Sequence, residues 1–171
     1  MLLVHACLLL QEFPLDPWRA WESFGVGSSI EFATTGRVAK KKATTHIDKK
    51  EENTITLTTT WIEGEKGKPQ TFSWTVTKAQ PPGEQPCSSC KKPHEEWKSL
   101  GSAQIKVDTT ELSCQKVERT FFFCKNLNGK ITRQKSRTIV YWVSPKVPGH
   151  VVKQDEGRGE VIQLLRFEVR E

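Results

Sequence analysis

The sequence predicts an all-β, mainly antiparallel protein: a curved meander or half-barrel of about nine strands with one short N-terminal helix. Three observations carry that expectation. Apolar residues alternate with polar ones at period two through much of the chain; only one short segment has helical spacing; and most links between strands are too short for a parallel crossover. Composition fits one folded domain. The 171 residues include 6 Trp and 8 Phe, more aromatic material than a disordered chain carries, and show no strict glycine period. No apolar run reaches the ~18 residues that span a bilayer, so no transmembrane segment is expected.

Residues 1–11 open with Met1-Leu2-Leu3-Val4 and run apolar to Leu10 before the polar break at Gln11. This reads as the h-region of a secretory signal without its basic n-region, a remnant left by a start codon placed too far downstream. A lipobox around Cys7 fits poorly, because only six residues precede the cysteine. Residues 12–171 are then a single β domain in a secreted, periplasmic or envelope-associated protein.

Asp16-Pro17 followed by Trp18, Trp21 and Phe24 predicts the helix, with Asp as N-cap, Pro at the first helical position, an aromatic stripe, and Gly25 as the stop. A helix this short does not persist alone, so its stripe must dock on the sheet. Ser29–Thr35 and Val38–Asp48 form a lysine-rich strand pair around Gly36. Thr54–Trp61 and Thr71–Val76 place Ile55, Leu57, Phe72, Trp74 and Val76 on one dry face. Leu112–Lys125 and Ile131–Val143 flank Asn128-Gly129, which tolerates the positive φ that tight hairpins need. Val147-Pro148-Gly149 suits a type II turn, and Val151–Asp155 and Val161–Val169 complete the series. The exception to short links is the Pro- and Cys-rich connection at 78–99, which divides the chain into two sheet-forming halves.

Pro17-Trp18 leading into Phe24-Gly25-Val26-Gly27-Ser28, then Leu112-Ser113-Cys114, then Tyr141-Trp142-Val143-Ser144 followed by Val147-Pro148-Gly149-His150 resembles a group of uncharacterised secreted bacterial β-rich proteins. These share a Trp-x-Ser step followed by a Val-Pro-Gly turn, and are distantly similar to lipoprotein and lipid-carrier half-barrels. The resemblance implies a curved antiparallel sheet with an apolar concave face and supplies no catalytic residues. His150 stands where such turns often have a second Gly.

Cys87-Ser88-Ser89-Cys90 with His94 has the spacing of a partial zinc site, with Cys87, Cys90 and His94 as ligands, or of a redox pair. Zinc lacks a second Cys pair, and the surrounding prolines oppose the helix a redox pair needs. The favoured reading is a disulfide, within the loop or from the loop to Cys114 or Cys124. A Cys114 to Cys124 bond along one strand is discounted by distance. No cofactor is otherwise expected.

No Gly-x-Ser-x-Gly elbow or phosphate loop appears, so no enzyme is expected. Basic clusters at Arg37–Lys42, Lys91–Lys92 and Arg133–Arg137 suit nucleic acid or an anionic envelope surface, but outward lysines more simply protect sheet edges and maintain solubility. Nucleic acid is not an expected partner. The C-terminal strands carry apolar residues on both faces, more than one dry face requires. The expected function is a non-catalytic secreted or envelope binding protein that holds a lipid-like ligand or a protein partner. Trp74, Phe122, Tyr141 and Trp142 are the candidate groove lining, although strand parity keeps Tyr141 and Trp142 on opposite faces. The alternative is a structural or interaction module with no small ligand.

Overall fold

A computed structural model describes residues 16–36, 41–64, 67–78, 90, 94–157 and 159–171. The expected signal remnant at 1–11, Cys87 and the prolines of the long connection lie outside the described residues. Within them the alternating segments become β1 (Ser29–Thr35), β2 (Lys41–Lys50), β3 (Thr54–Glu63), β4 (Gln70–Thr77), β5 (Glu95–Val107), β6 (Thr110–Leu127), β7 (Lys130–Val143), β8 (Val151–Asp155) and β9 (Val161–Glu168). The connection placed at 78–99 ends sooner than its composition suggested. Past its last proline every residue can donate an N–H, and β5 takes up pairing at Glu95 opposite Phe121.

All pairings are antiparallel, in the order β4-β3-β2-β1-β9-β8-β7-β6-β5. Two meanders are thus joined at β1 and β9, from Ser29 opposite Glu168 to Thr35 opposite Val161. The sheet is open, with β4 and β5 at its edges. It also curls. The turn between β5 and β6 reaches β9 across three intervening strands, and Val107, Asp108 and Thr110 line a small cleft of about 150 Å³ with Arg166 and Phe167.

The helix is α1 (Arg19–Glu22), a single turn whose entry is set by Asp16. The Asp16 carboxylate accepts the Trp18 N–H at 2.9 Å and its carbonyl accepts that of Ala20 at 3.0 Å. Trp18, Trp21 and Phe24 are buried, so the aromatic stripe is docked as expected. The turn after β7 fixes it there. The Gly149 N–H donates to the Ala20 carbonyl at 2.8 Å, and Gly149, at φ +76°, leaves room for Trp21, which a Cβ would approach to 3.1 Å.

The main core draws Ile30, Ile47, Ile55, Leu57, Val76 and Leu164 from β1 to β4 and β9 together with the helix aromatics. Val107, Leu112 and Cys114, near the β5–β6 turn, close over them. Full burial of each such side chain contributes about 1.5–3 kcal/mol. A second cluster of Val117, Ile139, Tyr141 and Val143 uses the opposite parity of β6 and β7, so the C-terminal half does bury both faces of its sheet.

Candidate functional site

The four side chains expected to line a groove occupy separate places. Trp74 lies on edge strand β4, paired with Leu57 and therefore on the core-bearing face, but it is 39% exposed, and Phe72 beside it is 51% exposed. The core face thus runs out into solvent as an aromatic lip, which Trp61, opposite Gln70, extends. Tyr141 is buried in the second cluster, where loss of water pushes its hydroxyl pKa up, opposed by the nearby Arg119 and Arg137. Trp142 faces the other way, with the Lys116 and Lys153 ammoniums 5.0 and 4.8 Å from its ring. Phe122 sits under the Arg133 guanidinium, 3.3 Å from its ring centre. The strand order explains the dispersal, since β3, β2, β1, β9 and β8 separate β4 from β7.

Arginine closes the second cluster against water. Arg119 lies 4.8 Å from the Trp97 ring and 4.4 Å from that of Phe121, Arg137 lies 4.8 Å from Phe121, and Glu95 accepts from Arg119 Nε at 2.9 Å. Guanidinium faces stack on rings while their edges remain hydrogen-bonded, so a basic surface can overlie an apolar interior.

Beyond this point no further strand among the described residues pairs with β6 or β7, and only His94 and Cys90 still flank β6, at Phe122 and Cys124. β5 pairs with β6 only as far as Phe121, and β8 pairs with β7 only from Val140 to Val143. Phe122–Leu127 and Lys130–Ser136 therefore project as a two-stranded arm, about 20 Å long at 3.4 Å per residue. An isolated hairpin is marginal in water. Its base is braced: the Phe122 N–H donates to the His94 carbonyl at 2.8 Å, Arg133 pairs with Glu96 at 2.7 Å, and Cys124 is disulfide-bonded to Cys90. At its tip Asn128 and Gly129, at φ +52° and +80°, make the tight turn the Asn-Gly pair foretold.

The arm's surface is apolar and basic. Phe123, Leu127 and Ile131 are 44%, 47% and 44% exposed. Lys125, Lys130, Arg133 and Lys135 accompany them, and no acidic residue occurs between Glu118 and Asp155. That acid-free run was visible in the sequence. Its placement on a projecting arm was not, because the projection depends on where β5 and β8 stop.

The disulfide uses Cys90, which withdraws its sulfur from the Cys87, Cys90 and His94 ligand set and is the loop-to-Cys124 form of the favoured disulfide reading. His94 is exposed, and among the described residues no group of three His, Cys, Asp or Glu is arranged for a metal. Cys114 remains a buried free thiol, its pKa raised by burial. On the outer face of β2 to β4, His46 Nε2 meets Asp48 at 2.7 Å, Asp48 accepts from Thr58, and Thr58 meets Ser73 at 2.7 Å. Thr58 contacts the carboxylate and Ser73 contacts Thr58, so neither hydroxyl is given the nucleophile-to-imidazole contact of acyl transfer among the described residues.

No family model matches the chain, and no curated protein matches it. Among solved structures the chain is similar to the hypothetical lipoprotein YmcC from Escherichia coli (K12), with 8% identity, 95% of this chain and 94% of that chain covered, and a TM-score of 0.31. A likeness that loose carries no argument about this chain. Among the described residues, no helix is long and apolar enough to cross a membrane.

Proposed function

We propose that this chain is a non-catalytic binding protein of an oxidising, extracytoplasmic compartment, secreted or held at the cell envelope, and that it meets its partner with its outer surface. The observation that carries the reading is the division of apolar surface. The chain's own side chains pack the core, with Ile55, Leu57, Val147 and Val152 wholly buried, whereas accessible apolar groups cluster as Phe72 and Trp74 on the β4 lip and as Phe123, Leu127 and Ile131 on the β6–β7 arm, the others, such as Val26 and Val169, standing elsewhere on the surface. Ligand carriers instead keep a concave apolar space for their cargo. The Cys90–Cys124 disulfide supports the compartment, since such bonds persist where thiols are not kept reduced.

Exposure of Phe72 and Trp74 favours a second reading, in which a lipid-like ligand lies along the lip beside Trp61. Organic-solvent extraction of the purified protein, followed by titration with a fluorescent fatty-acid probe, separates the two. The surface reading expects no stoichiometric lipid and no saturable probe site. A co-purifying lipid, with probe binding abolished by Trp74→Ala, would replace it with the carrier.

A further inference from the structure

We infer that the β6–β7 arm is a membrane-contact device that inserts its tip into an anionic lipid surface. This rests on the reading above of a protein acting through its exterior, and names the partner of one part of that exterior.

Three features of the arm converge on a lipid surface. First, its apolar groups stand at the very end: Leu127 and Ile131 flank the Asn128-Gly129 turn, and both are among the most exposed large apolar residues described. Second, register places them on opposite faces. Leu127 shares a face with Lys125, Lys130 and Phe123, whereas Ile131 shares the other with Asn126 and Arg133. A flat partner, whether protein or duplex, would reach only one of these faces; a fluid apolar layer entered end-on receives both. Third, the two cations nearest the tip, Lys125 and Lys130, stand on Leu127's face with no acid beside them in the arm. Among the described residues no ion pair engages Lys125, Lys130 or Lys135, and Arg133 stands further up the arm, braced on Phe122 and Glu96. Aliphatic groups in the acyl boundary with lysines at the level of the headgroups is the division an anionic interface selects.

The arm's attachment suits this use. It leaves the sheet where its neighbours end, so the tip can enter an interface without disturbing the core, and the disulfide and the Arg133 brace hold its base against bending. Bonds between its two strands satisfy much of the backbone near the tip before insertion.

Sedimentation of the full chain with phosphatidylcholine vesicles, with and without phosphatidylglycerol, tests the inference. Binding is expected to the anionic vesicles only and to weaken with added salt. Lys125→Gln with Lys130→Gln should weaken it about thirtyfold, from roughly fivefold per lysine at an anionic surface. Leu127→Ser with Ile131→Ser should weaken it at least tenfold. Lys146→Gln, a cation on the turn after β7, should leave it unchanged, and all variants should unfold at the wild-type midpoint because the arm tip lies outside both core clusters. Equal binding to pure phosphatidylcholine, retention by either arm variant, or an equal loss in Lys146→Gln would overturn the inference. So would failure to bind anionic vesicles, including the case where the arm cations instead retain an oligonucleotide. The surface reading fails in the extraction experiment and this one at the vesicle, so the two are told apart.

Discussion

Removing the Cys90–Cys124 bond offers a quantitative test of how the edge-to-edge connection and the arm are held. The bond closes a loop of sequence separation 34. In the chain-entropy treatment, a loop of that size restricts the unfolded chain by about 12.6 cal/mol/K, or about 3.8 kcal/mol at 25 °C. For a chain of this length that corresponds to a fall of roughly 8–15 °C in Tm. The suitable variant replaces both cysteines by serine, since a single replacement leaves a thiol free for exchange. Urea unfolding followed by tryptophan fluorescence measures the difference, and reduction of the wild type should reproduce it, because the other described cysteine, Cys114, is a buried free thiol. A loss below about 1 kcal/mol would refute the reasoning: it would mean that β5 and β6 stay closed in the unfolded chain or that the bond does not form. A lower urea midpoint with a slope at least as steep as the wild type's is expected, because the unfolded chain expands once the bond is gone.

Other expectations concern the clamp between helix and turn. Trp21→Ala should cost about 3–5 kcal/mol by emptying a core site, and Gly149→Ala about 1–3 kcal/mol because its φ is left-handed and its Cβ meets Trp21. The double variant should lose less than the sum, and strict additivity in urea titrations would show that the two do not touch. Ser144 is fully buried and its hydroxyl has no hydrogen-bond partner among the described residues, so Ser144→Ala should be neutral or stabilising by up to about 1 kcal/mol, which a fall in the unfolding midpoint would contradict. Burial holds the His150 imidazole below its ordinary 6.5, with Glu22 pulling the other way. Protonation therefore favours the unfolded chain, and stability present at neutral pH is lost as pH falls below about 6.5. His150→Gln should flatten that part of the stability–pH curve; an unchanged curve would show that the ring is solvated.

The local structure was legible because local rules decided it. Period-two alternation found the strands, Asn128-Gly129 and Val147-Pro148-Gly149 found their turns, and Asp16-Pro17 with its aromatic spacing found the helix. Strand parity also separated Tyr141 from Trp142. What stayed hidden was long-range. Nothing in Ser29–Thr35 or Val161–Glu168 announces that they pair, yet that junction sets the strand order and places Trp74 far from Tyr141. The cysteine partner was open for the same reason. The arm escaped notice because its residues read as ordinary strand; only the early end of β8 and the late start of β5 make them project. The apolar excess on the C-terminal strands was read as a groove, whereas on β6 and β7 it goes to a second buried cluster roofed by Arg119 and Arg137 and to the exposed arm.

Amide hydrogen exchange, compared with and without phosphatidylglycerol-containing vesicles, asks directly which surface meets the partner. Added protection is expected at the arm tip, over 125–131, with exchange in β1 to β4 and in both core clusters unchanged. Protection centred on Phe72 and Trp74, or spread through Ile55 and Leu57 as if the sheet had opened to admit lipid, would contradict a protein that works from its exterior through this arm.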